Sequence, residues 1–279
     1  MRAFVASGAD EASLLQRDAL LALGTWTDDG PFGAGTAWRR GNVRLVTIAE
    51  HHLYRDFLDR DLEAHFGARP ELVVYLSKHK SASREPSLTV HPVGNPRGAD
   101  FGGVPGRFAP AAPPWMTAAL RRLRDEAKGL PYAVTFEATH HGPLVGAPTF
   151  YIEQGSTERE WADVEASRAI ARTLLALEPA GGPVAIGLGG GHYVPRHTDV
   201  ALGRRVTFGH LLPAYALEGM DPAVLGEARA TSPGATLAYV HRKSLSKAGA
   251  RAWEERLGAL GLEVVHEADL APREGDKGS

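Results

Sequence analysis

Short apolar runs rich in β-branched residues alternate along this chain with longer segments in which apolar residues recur at helical spacing. The apolar runs predict strands at Val43–Ile48, Leu72–Leu76, Leu88–Val90, Tyr132–Phe136, Val184–Leu188, Leu237–Val240 and Leu262–Val265. The amphipathic segments predict helices at Asp10–Leu23, Tyr54–Phe66, Trp115–Lys128, Thr157–Leu177, Pro222–Ala230 and Ser244–Leu257. Such alternation indicates an α/β fold with a mixed, largely parallel central sheet flanked by helices.

We interpret residues 1–279 as a single α/β catalytic domain. Thr157-Glu158-Arg159-Glu160 fits the capping box that begins many helices. Residues 93–114 form a long Gly/Pro-rich loop, a length that is often functional inside a compact domain. The polar tail, residues 271–279, is expected to fray. The pattern in the first 40 residues is ambiguous, beyond a possible strand at the amino terminus.

Composition and charge narrow the function classes. The chain of 279 residues is 43% hydrophobic and 23% charged, as in an ordinary globular protein with ample material for a core. The net charge of −2 excludes a globally basic nucleic-acid binder but allows a local basic face. Neither an apolar run of membrane-spanning length nor a secretory leader is apparent, so we expect no membrane span and a cytoplasmic location.

Polar clusters containing histidine follow four of these apolar runs and the short run Val206-Thr207-Phe208. They are Ser77–Ser81, His91–Asn95, Glu137–Pro143, Gly189–His192 and Gly209-His210. Open parallel sheets place ligand sites at the carboxyl ends of their strands, so these clusters are candidates for one site. Any single histidine is more often a surface or core residue. The absence of cysteine leaves His and carboxylate as metal ligands, which suits Zn²⁺ and hydrolysis of an ester or amide.

Two other chemistries are disfavoured. Gly189-Gly190-Gly191 could bind an anion through backbone amides or could simply permit close packing. It lacks the spacing and the Lys-Ser/Thr of a Walker loop, and it does not match the Gly-x-Gly-x-x-Gly pattern of dinucleotide sites. No Gly-x-Ser-x-Gly elbow is present, which argues against a serine hydrolase.

Several motifs together resemble the archaeal and plant type of D-aminoacyl-tRNA deacylase. They are Ser77-Lys78-His79, Leu88–His91, Gly94-Asn95, Glu137–Pro143, Glu153–Trp161, Gly189–Tyr193, Phe208–His210 and Pro213–Leu217. The resemblance is strong over residues 70–220. It implies a fold similar to the phosphorylase/peptidyl-tRNA hydrolase group and a zinc enzyme, with two ions per chain. Its substrate would be the ester between a D-amino acid and tRNA, so that it serves chiral proofreading in translation.

The resemblance implies the metal ligands named next, whereas the catalytic residues and substrate contacts that follow are our own hypothesis from residue chemistry. For each basic residue among those contacts, a solvated helix or loop face is an equally good interpretation. The candidate metal ligands are His79, His140, His141, Glu153, His192 and His210. Gln154 departs from the apolar residue expected there, a change that should affect packing more than chemistry. The candidate catalytic residues are Glu137, His141 and Glu153, with a carboxylate accepting a proton from a metal-activated water. Candidate contacts to substrate or tRNA are Lys78, Lys80, Gly189, Gly190, Gly191, Arg121, Arg122 and Arg124, the glycine amides serving an oxyanion.

Two alternatives stay open at this point. One is another zinc-dependent ester or amide hydrolase that acts on small molecules. The other is a non-catalytic RNA-binding protein with structural histidines. We expect a monomer whose partner is D-aminoacyl-tRNA.

Overall fold

The computed structural model describes residues 1–273, which fold into twelve strands and nine α-helices. The strands are β1 (Arg2–Ser7), β2 (Thr27–Phe32), β3 (Gly35–Arg40), β4 (Val43–Ile48), β5 (Leu72–Lys80), β6 (Ser87–His91), β7 (Ala133–Phe136), β8 (Thr149–Ser156), β9 (Val184–Leu188), β10 (Thr207–Leu212), β11 (Ala235–Val240) and β12 (Glu263–Val265). The helices are α1 (Glu11–Leu23), α2 (Leu58–Phe66), α3 (Pro113–Glu126), α4 (Glu158–Trp161), α5 (Val164–Leu175), α6 (Pro195–Gly203), α7 (Ala214–Leu217), α8 (Pro222–Ala230) and α9 (Lys247–Ala259).

The strands form two sheets. An eight-stranded sheet has the order β2-β3-β4-β1-β5-β8-β6-β7, and a four-stranded sheet has the order β10-β9-β11-β12. In the large sheet β4, β1, β5 and β8 are parallel, while β6 runs antiparallel to β8 and parallel to β7. The small sheet is parallel throughout. The predicted α/β class is confirmed, but its strands are divided between two sheets.

The two faces of the large sheet differ in what covers them. Val74, Leu76, Leu88, Val90 and Phe136 point to one face, where they share an apolar cluster with helix α3 and with residues of the small sheet. The alternate residues of the same strands point to the other face. On that second face an apolar cluster includes Val73 and Tyr75, and polar side chains lie further along β5. The polar half of this second face carries the candidate site.

The amino-terminal segment contributes β1, the predicted helix α1, and a hairpin in the part that the pattern left ambiguous. In the β2–β3 hairpin, Gly30 and Gly33 adopt positive φ angles of 85° and 58°, which favour glycine. Strand β2 is Thr-Asp-Asp-Gly-Pro-Phe and mostly exposed, so it lacks the apolar alternation by which strands are identified.

The predicted helix Thr157–Leu177 is divided into α4 and α5. The Thr157 capping box is present as predicted. Buried Gln154 causes the break, because its Nε2 donates to the carbonyl oxygens of Glu160, Trp161 and Asp163 at 2.7, 3.2 and 3.1 Å. Its Oε1 accepts a hydrogen bond from Ser167 Oγ at 2.7 Å. This departure from the expected apolar residue therefore organises the helix junction.

The predicted Gly/Pro-rich loop lies between β6 and α3, which already begins at Pro113. The tail differs from expectation where it is described. Arg205 N donates to Ala271 O at 2.8 Å, and Arg273 N donates to Gly203 O at 3.1 Å, so residues 271–273 are held rather than frayed. The rest of the predicted tail lies outside the described residues. Within residues 1–273, no helix combines the length and apolar character needed to cross a bilayer.

Candidate active site

Three neighbouring strands place polar side chains on the second face of the large sheet. His79 on β5 lies opposite Gly155 on β8, and Glu153 lies opposite Thr89 on β6. His91 ends β6. Because residues two apart in a strand point to the same face, His79, Glu153 and His91 converge there. His79 and Glu153 lie within their strands. The site is therefore built partly on the face of the sheet, whereas the sequence had suggested strand ends alone.

Gly155 makes room for His79. A Cβ atom at position 155 would lie 2.4 Å from the His79 carbonyl oxygen and 2.8 Å from the His79 Cβ. Any larger residue would therefore push β5 and β8 apart beside the histidine. The glycine fixes how closely His79 approaches the neighbouring strand.

Glu137 enters the site where β7 leaves the large sheet for the small one. Glu137 forms an isolated bridge with Tyr193, and Ala138 N donates to His192 O at 2.8 Å. Thr139 N then donates to Leu211 O on β10 at 2.8 Å. The predicted block after Phe136 thus forms the seam between the two sheets, and this pairing brings His192 next to Glu137.

Two buried carboxylates flank His79. Its Nδ1 lies 3.0 Å from Glu137 Oε1 and 3.5 Å from Glu153 Oε2, and its Nε2 lies 2.8 Å from the Tyr193 hydroxyl. Burial disfavours the charged ring, but the two carboxylates outweigh it and raise the pKa of His79 to about 11. Burial likewise opposes ionisation of Glu137 and Glu153, yet the adjacent histidines hold both carboxyl pKa values well below their usual range. Both carboxylates are therefore ionised at neutral pH.

Three histidines are oriented by the backbone. His91 Nδ1 donates to Pro92 O at 3.1 Å, His140 Nδ1 to Ala138 O at 2.8 Å, and His141 Nδ1 to Gly142 O at 2.6 Å. A carbonyl oxygen can only accept, so each Nδ1 carries a proton, and a ring that is neutral keeps its lone pair on Nε2. Burial disfavours the charged His91 ring, but Glu153 beside its Nε2 outweighs this and raises the pKa of His91. Burial, followed by neighbouring imidazoles, lowers the pKa of His141 to about 3 and that of His140 well below its usual value. His140 and His141 are therefore neutral rings with a free Nε2, which suits metal ligation.

The cluster contains three overlapping groups whose ligand atoms lie within 4.8 Å of one another. They are His91/His140/His141, His79/Glu137/His192 and His91/Glu137/Glu153. The predicted residues His79, His140, His141, Glu153, Glu137 and His192 are thus brought together. His91 was noted in the sequence only as one strand end and was missing from the predicted ligands. A signal for His91 was present in the sequence. If β8 had been recognised, the alternation of Ser87, Thr89 and His91 in the neighbouring strand would have placed His91 on the same face as Glu153.

His210 is not part of this cluster, and its prediction as a ligand is wrong on geometry. The ring is fully buried, its Nε2 lies 3.1 Å from Ala109 O, and its Nδ1 lies 3.3 Å from Thr139 Oγ1. The carbonyl requires the proton on Nε2, and Nδ1 then accepts from the hydroxyl. Both nitrogens are engaged by protein, so His210 is a core histidine that links the loop before α3 to the seam.

The glycine turn serves packing more than anion binding. Gly189 N donates to Leu212 O and Gly190 N donates to Ser244 Oγ, both at 2.8 Å. These two amides are therefore not free for an oxyanion, contrary to expectation. Gly189 and Gly190 have φ angles of 95° and 87°, which require glycine, and exposed Gly191 leads directly to His192.

The predicted phosphate contacts are mostly engaged elsewhere. Arg121 donates to the carbonyl oxygens of Ala201, Arg204 and Val206, and Arg122 pairs with Glu126. Helix α3, which carries Arg121, Arg122 and Arg124, packs against the face of the large sheet opposite the cluster. Lys78 Nζ pairs with Glu11 at 2.8 Å. The arginines are thus wrongly placed for tRNA at the site, and Lys80 is left exposed at the end of β5.

A second buried network, which sequence reasoning missed, adjoins the cluster. His52 Nε2 lies 3.5 Å from Asp10 Oδ2, and His52 Nδ1 lies 3.2 Å from the Tyr151 hydroxyl. The Tyr151 ring stacks on His91, with centroids 5.1 Å apart and planes at 10°. Through this stacking, the network supports the position of His91. Its members are more than 40 residues apart in sequence, so no local pattern could reveal it.

A cleft of about 350 Å³ opens onto the cluster. Its floor includes His140, His141 and His192, and its rim includes Phe101 and Tyr215. Both aromatic rings are exposed, at 61% and 50%. The cleft is thus the route by which a ligand reaches the histidines.

An α/β scaffold with a buried His/carboxylate cluster open to one cleft defines a class of hydrolytic enzyme. The family of D-aminoacyl-tRNA deacylases matches residues 66–265. Proteins named D-aminoacyl-tRNA deacylase from Methanosarcina mazei and Pyrococcus furiosus are 40% and 33% identical, over 95% of this chain in each case and 92% and 99% of their own lengths. This chain belongs to the D-aminoacyl-tRNA deacylase family.

Two further comparisons describe its extent and fold. A relative of the same name from Methanococcoides burtonii is 37% identical over 97% of this chain, which spans only 57% of that protein. The crystal structure of AF0625, a conserved protein of unknown function, is 30% identical and matches with a TM-score of 0.89, covering 97% of this chain and 96% of its own. The two-sheet architecture is therefore one already seen by crystallography.

Proposed function

We propose that this chain hydrolyses the ester bond between a D-amino acid and tRNA, and that zinc held by the His/carboxylate cluster is its cofactor. Membership of the family supports the reaction, which makes the chain a hydrolase of aminoacyl-tRNA esters. One observation carries the zinc proposal. His91, His140 and His141 each donate from Nδ1 to a backbone carbonyl, the arrangement by which proteins fix histidine ligands.

The buried polar atoms of the cluster fit a cation. His91 Nε2 and both carboxylate oxygens of Glu137 are buried and make no well-formed hydrogen bond. Ring nitrogens lie only 3.0 to 3.5 Å from the Glu137 oxygens, so the shortfall is one of geometry rather than of proximity. Unsatisfied buried polar groups are rare in native proteins, and an ion coordinated by these atoms would satisfy them.

His91, His140 and His141 would hold one ion, and His79, Glu137 and His192 would hold a second. An ion in the second set would take the place of the proton that the two carboxylates otherwise hold on His79. These two sets share no residue, which is compatible with two ions per chain. When bound, zinc supplies Lewis acidity to the ester carbonyl and acidifies water. The role of His141 is then that of a ligand rather than of an acid or base, because its ring is neutral and its Nδ1–H donates to Gly142 O.

Glu153 is the carboxylate that belongs to neither of these two sets. Its Oε2 lies 3.5 Å from His79 and its Oε1 lies 3.6 Å from His91. Because it is ionised at neutral pH, a carboxylate oxygen of Glu153 can accept a proton from the attacking water. Glu137, besides serving as a ligand of the second ion, balances the charge of His79, His140 and His192, which surround it. The leaving ribose hydroxyl requires little acid assistance.

The cleft receives the aminoacylated 3′ end. The ester carbonyl would lie over His140, His141 and His192 on its floor. The exposed rings of Phe101 and Tyr215 at the rim offer faces on which the terminal base can stack, since every base has a π face. Arg97 holds this rim in place by donating to Tyr215 O at 3.0 Å.

Hydrolysis of D-Tyr-tRNA and L-Tyr-tRNA, with and without a chelator, tests the proposal. We expect the D-ester to be hydrolysed selectively, chelation to stop turnover, and added zinc to restore it. His140→Ala should lower bound zinc and activity together, whereas His210→Gln should leave the zinc content unchanged. Equal rates on the two enantiomers would refute the deacylase function. Full activity in a protein shown by elemental analysis to be metal-free would refute the role of zinc.

The same assay with a D-tyrosyl ester that lacks tRNA addresses substrate class. If kcat/KM for this ester equals kcat/KM for D-Tyr-tRNA, the chain is instead a small-molecule hydrolase. A monomeric state and a cytoplasmic location stay predictions. Light scattering of the purified chain checks the first, and fractionation of the native cells checks the second.

A further inference from the structure

A basic surface lies beside the small sheet, where β11 leads into α9. It consists of Arg242, Lys243, Lys247 and Arg251, which line a cavity of about 810 Å³. All four side chains are exposed. Arg242 pairs with Glu254, whereas Lys243, Lys247 and Arg251 form no ion pair with any residue in the described part of the chain. Three unpaired cations on one surface contrast with the net charge of −2 for the whole chain.

This basic surface is connected directly to the active site. Gly190 N donates to Ser244 Oγ at 2.8 Å, and His241 N donates to Leu188 O at 2.8 Å. Gly190 is only two residues from His192 on the floor of the cleft. Since consecutive Cα atoms are 3.8 Å apart, the backbones of His192 and Ser244 lie within about 14 Å of each other.

We propose that the basic surface binds backbone phosphates in the 3′ strand of the tRNA acceptor end. This inference rests on the proposed function, because the scissile ester is on the terminal ribose. Phosphates of the nucleotides just before it must then lie within a short distance of the histidines. Lys243, the residue next to Ser244, would be the first contact. Lys247 and Arg251, one turn of α9 apart, would follow the strand away from the cleft.

The arginines of α3 and Lys78, which the sequence suggested, do not provide such a path. Arg121, Arg122 and Arg124 lie on α3, across the large sheet from the cluster. Lys78 is paired with Glu11 and lies over the Trp161 ring. Glu255 also lines the cavity and would repel a phosphate, so we expect the phosphates to lie on the side of the cavity away from Glu255.

The test is a charge reversal in the whole 279-residue chain. The variant is Lys243→Glu/Lys247→Glu/Arg251→Glu. A matched control, Arg40→Glu/Lys128→Glu/Arg205→Glu, changes the net charge equally at exposed positions elsewhere. The affinity for tRNA that carries no amino acid is measured as a function of salt concentration. This measurement reports on the phosphate contacts and does not depend on catalysis. Hydrolysis of D-tyrosyl-adenosine, an ester without phosphate, reports separately on the active site.

We expect the variant to bind tRNA at least tenfold more weakly than the control. The plot of the logarithm of the association constant against the logarithm of the salt concentration should become less steep by about 2 units of slope, since three contacts to a single strand contribute about 0.7 each. Hydrolysis of D-tyrosyl-adenosine should be unchanged. A milder variant, Lys243→Gln/Lys247→Gln/Arg251→Gln, should give a smaller loss in the same direction. Tight tRNA binding by the charge-reversed variant, with an unaltered salt slope, would overturn the inference. Failure of the wild type to hydrolyse D-Tyr-tRNA would count against the proposed function alone, because tRNA binding is read independently.

Discussion

Buried His210 should make this protein sensitive to acid, and His210→Gln should remove part of that sensitivity. Burial of the imidazole lowers its pKa from 6.5 to about 3, and hydrogen bonds to backbone carbonyls only partly offset this. In the unfolded chain the histidine is protonated below its usual pKa, whereas in the folded chain it stays neutral down to about pH 3. The unfolded state therefore binds more protons in this window, and stability falls as the pH falls.

The size of the effect follows from the two pKa values. Acidification from pH 7.5 to 4.5 should remove about 2.7 kcal/mol from the free energy of unfolding through His210 alone. At neutral pH the glutamine variant should be less stable than the wild type by about 1–2 kcal/mol, because Thr139 loses its acceptor while Ala109 O keeps a donor. The wild type should lose this advantage on acidification, since glutamine does not titrate.

Urea unfolding of the wild type, His210→Gln and the exposed control His65→Gln, at several pH values from 7.5 to 4.5, measures the difference directly. Other buried histidines contribute equally to all three proteins and cancel. The stability of the wild type relative to His210→Gln should decline by about 2.7 kcal/mol across this range. Parallel decline of these two proteins would refute a buried neutral His210. A loss of bound zinc in His210→Gln would restore its assignment as a ligand.

Three other predictions concern the packing around the cluster. Gly155→Ala should lower kcat for D-Tyr-tRNA by roughly a hundredfold, because its Cβ would lie 2.4 Å from the His79 carbonyl oxygen; kcat within threefold of wild type would contradict this. Gln154→Leu should lower the free energy of unfolding by about 3 kcal/mol by leaving buried carbonyl groups at the α4–α5 junction unsatisfied. A loss below 1 kcal/mol in urea unfolding would show that water replaces them. Tyr193→Phe removes the 2.8 Å contact to His79 and should lower kcat roughly tenfold at unchanged KM. An unchanged kcat would assign Tyr193 a purely structural role.

The sequence predicted individual strands and helices better than it predicted which of them lie side by side. Val43–Ile48 and Val184–Leu188 are strands with the predicted bounds, because buried apolar residues dominate each of them. Strand β8 was not assigned, although Phe150–Ile152 is apolar, because its second half carries Glu153, Gln154 and Gly155. Polar residues in a fully buried strand have no local explanation. Their partners come from distant strands, so the pattern is readable only once the sheet order is known.

The candidate site shows the same division. Glu137, His140 and His192 could be selected because chemistry-bearing residues stood beside turns. Placement of Arg121 could not be derived, since amphipathic spacing shows which residues share a helix face but not which face of the sheet the helix covers. His210 resembles a ligand in its local sequence and differs only in having a partner for each nitrogen. Such saturation depends on Ala109 and Thr139, which are 101 and 71 residues away.

The position of the cluster follows from the seam between the sheets. Along β5 the second face changes from apolar Val73 and Tyr75 to polar Ser77 and His79. The change occurs on the part of the face where Glu137 leaves β7 and the backbone pairs with residues of the small sheet. Burying two carboxylates there does not serve stability, because replacing buried ion pairs with well-packed apolar residues is often neutral or stabilising by about 1–4 kcal/mol. The charges are instead held where side chains from both sheets can reach one point, and where the loop carrying Phe101 leaves one side open to substrate.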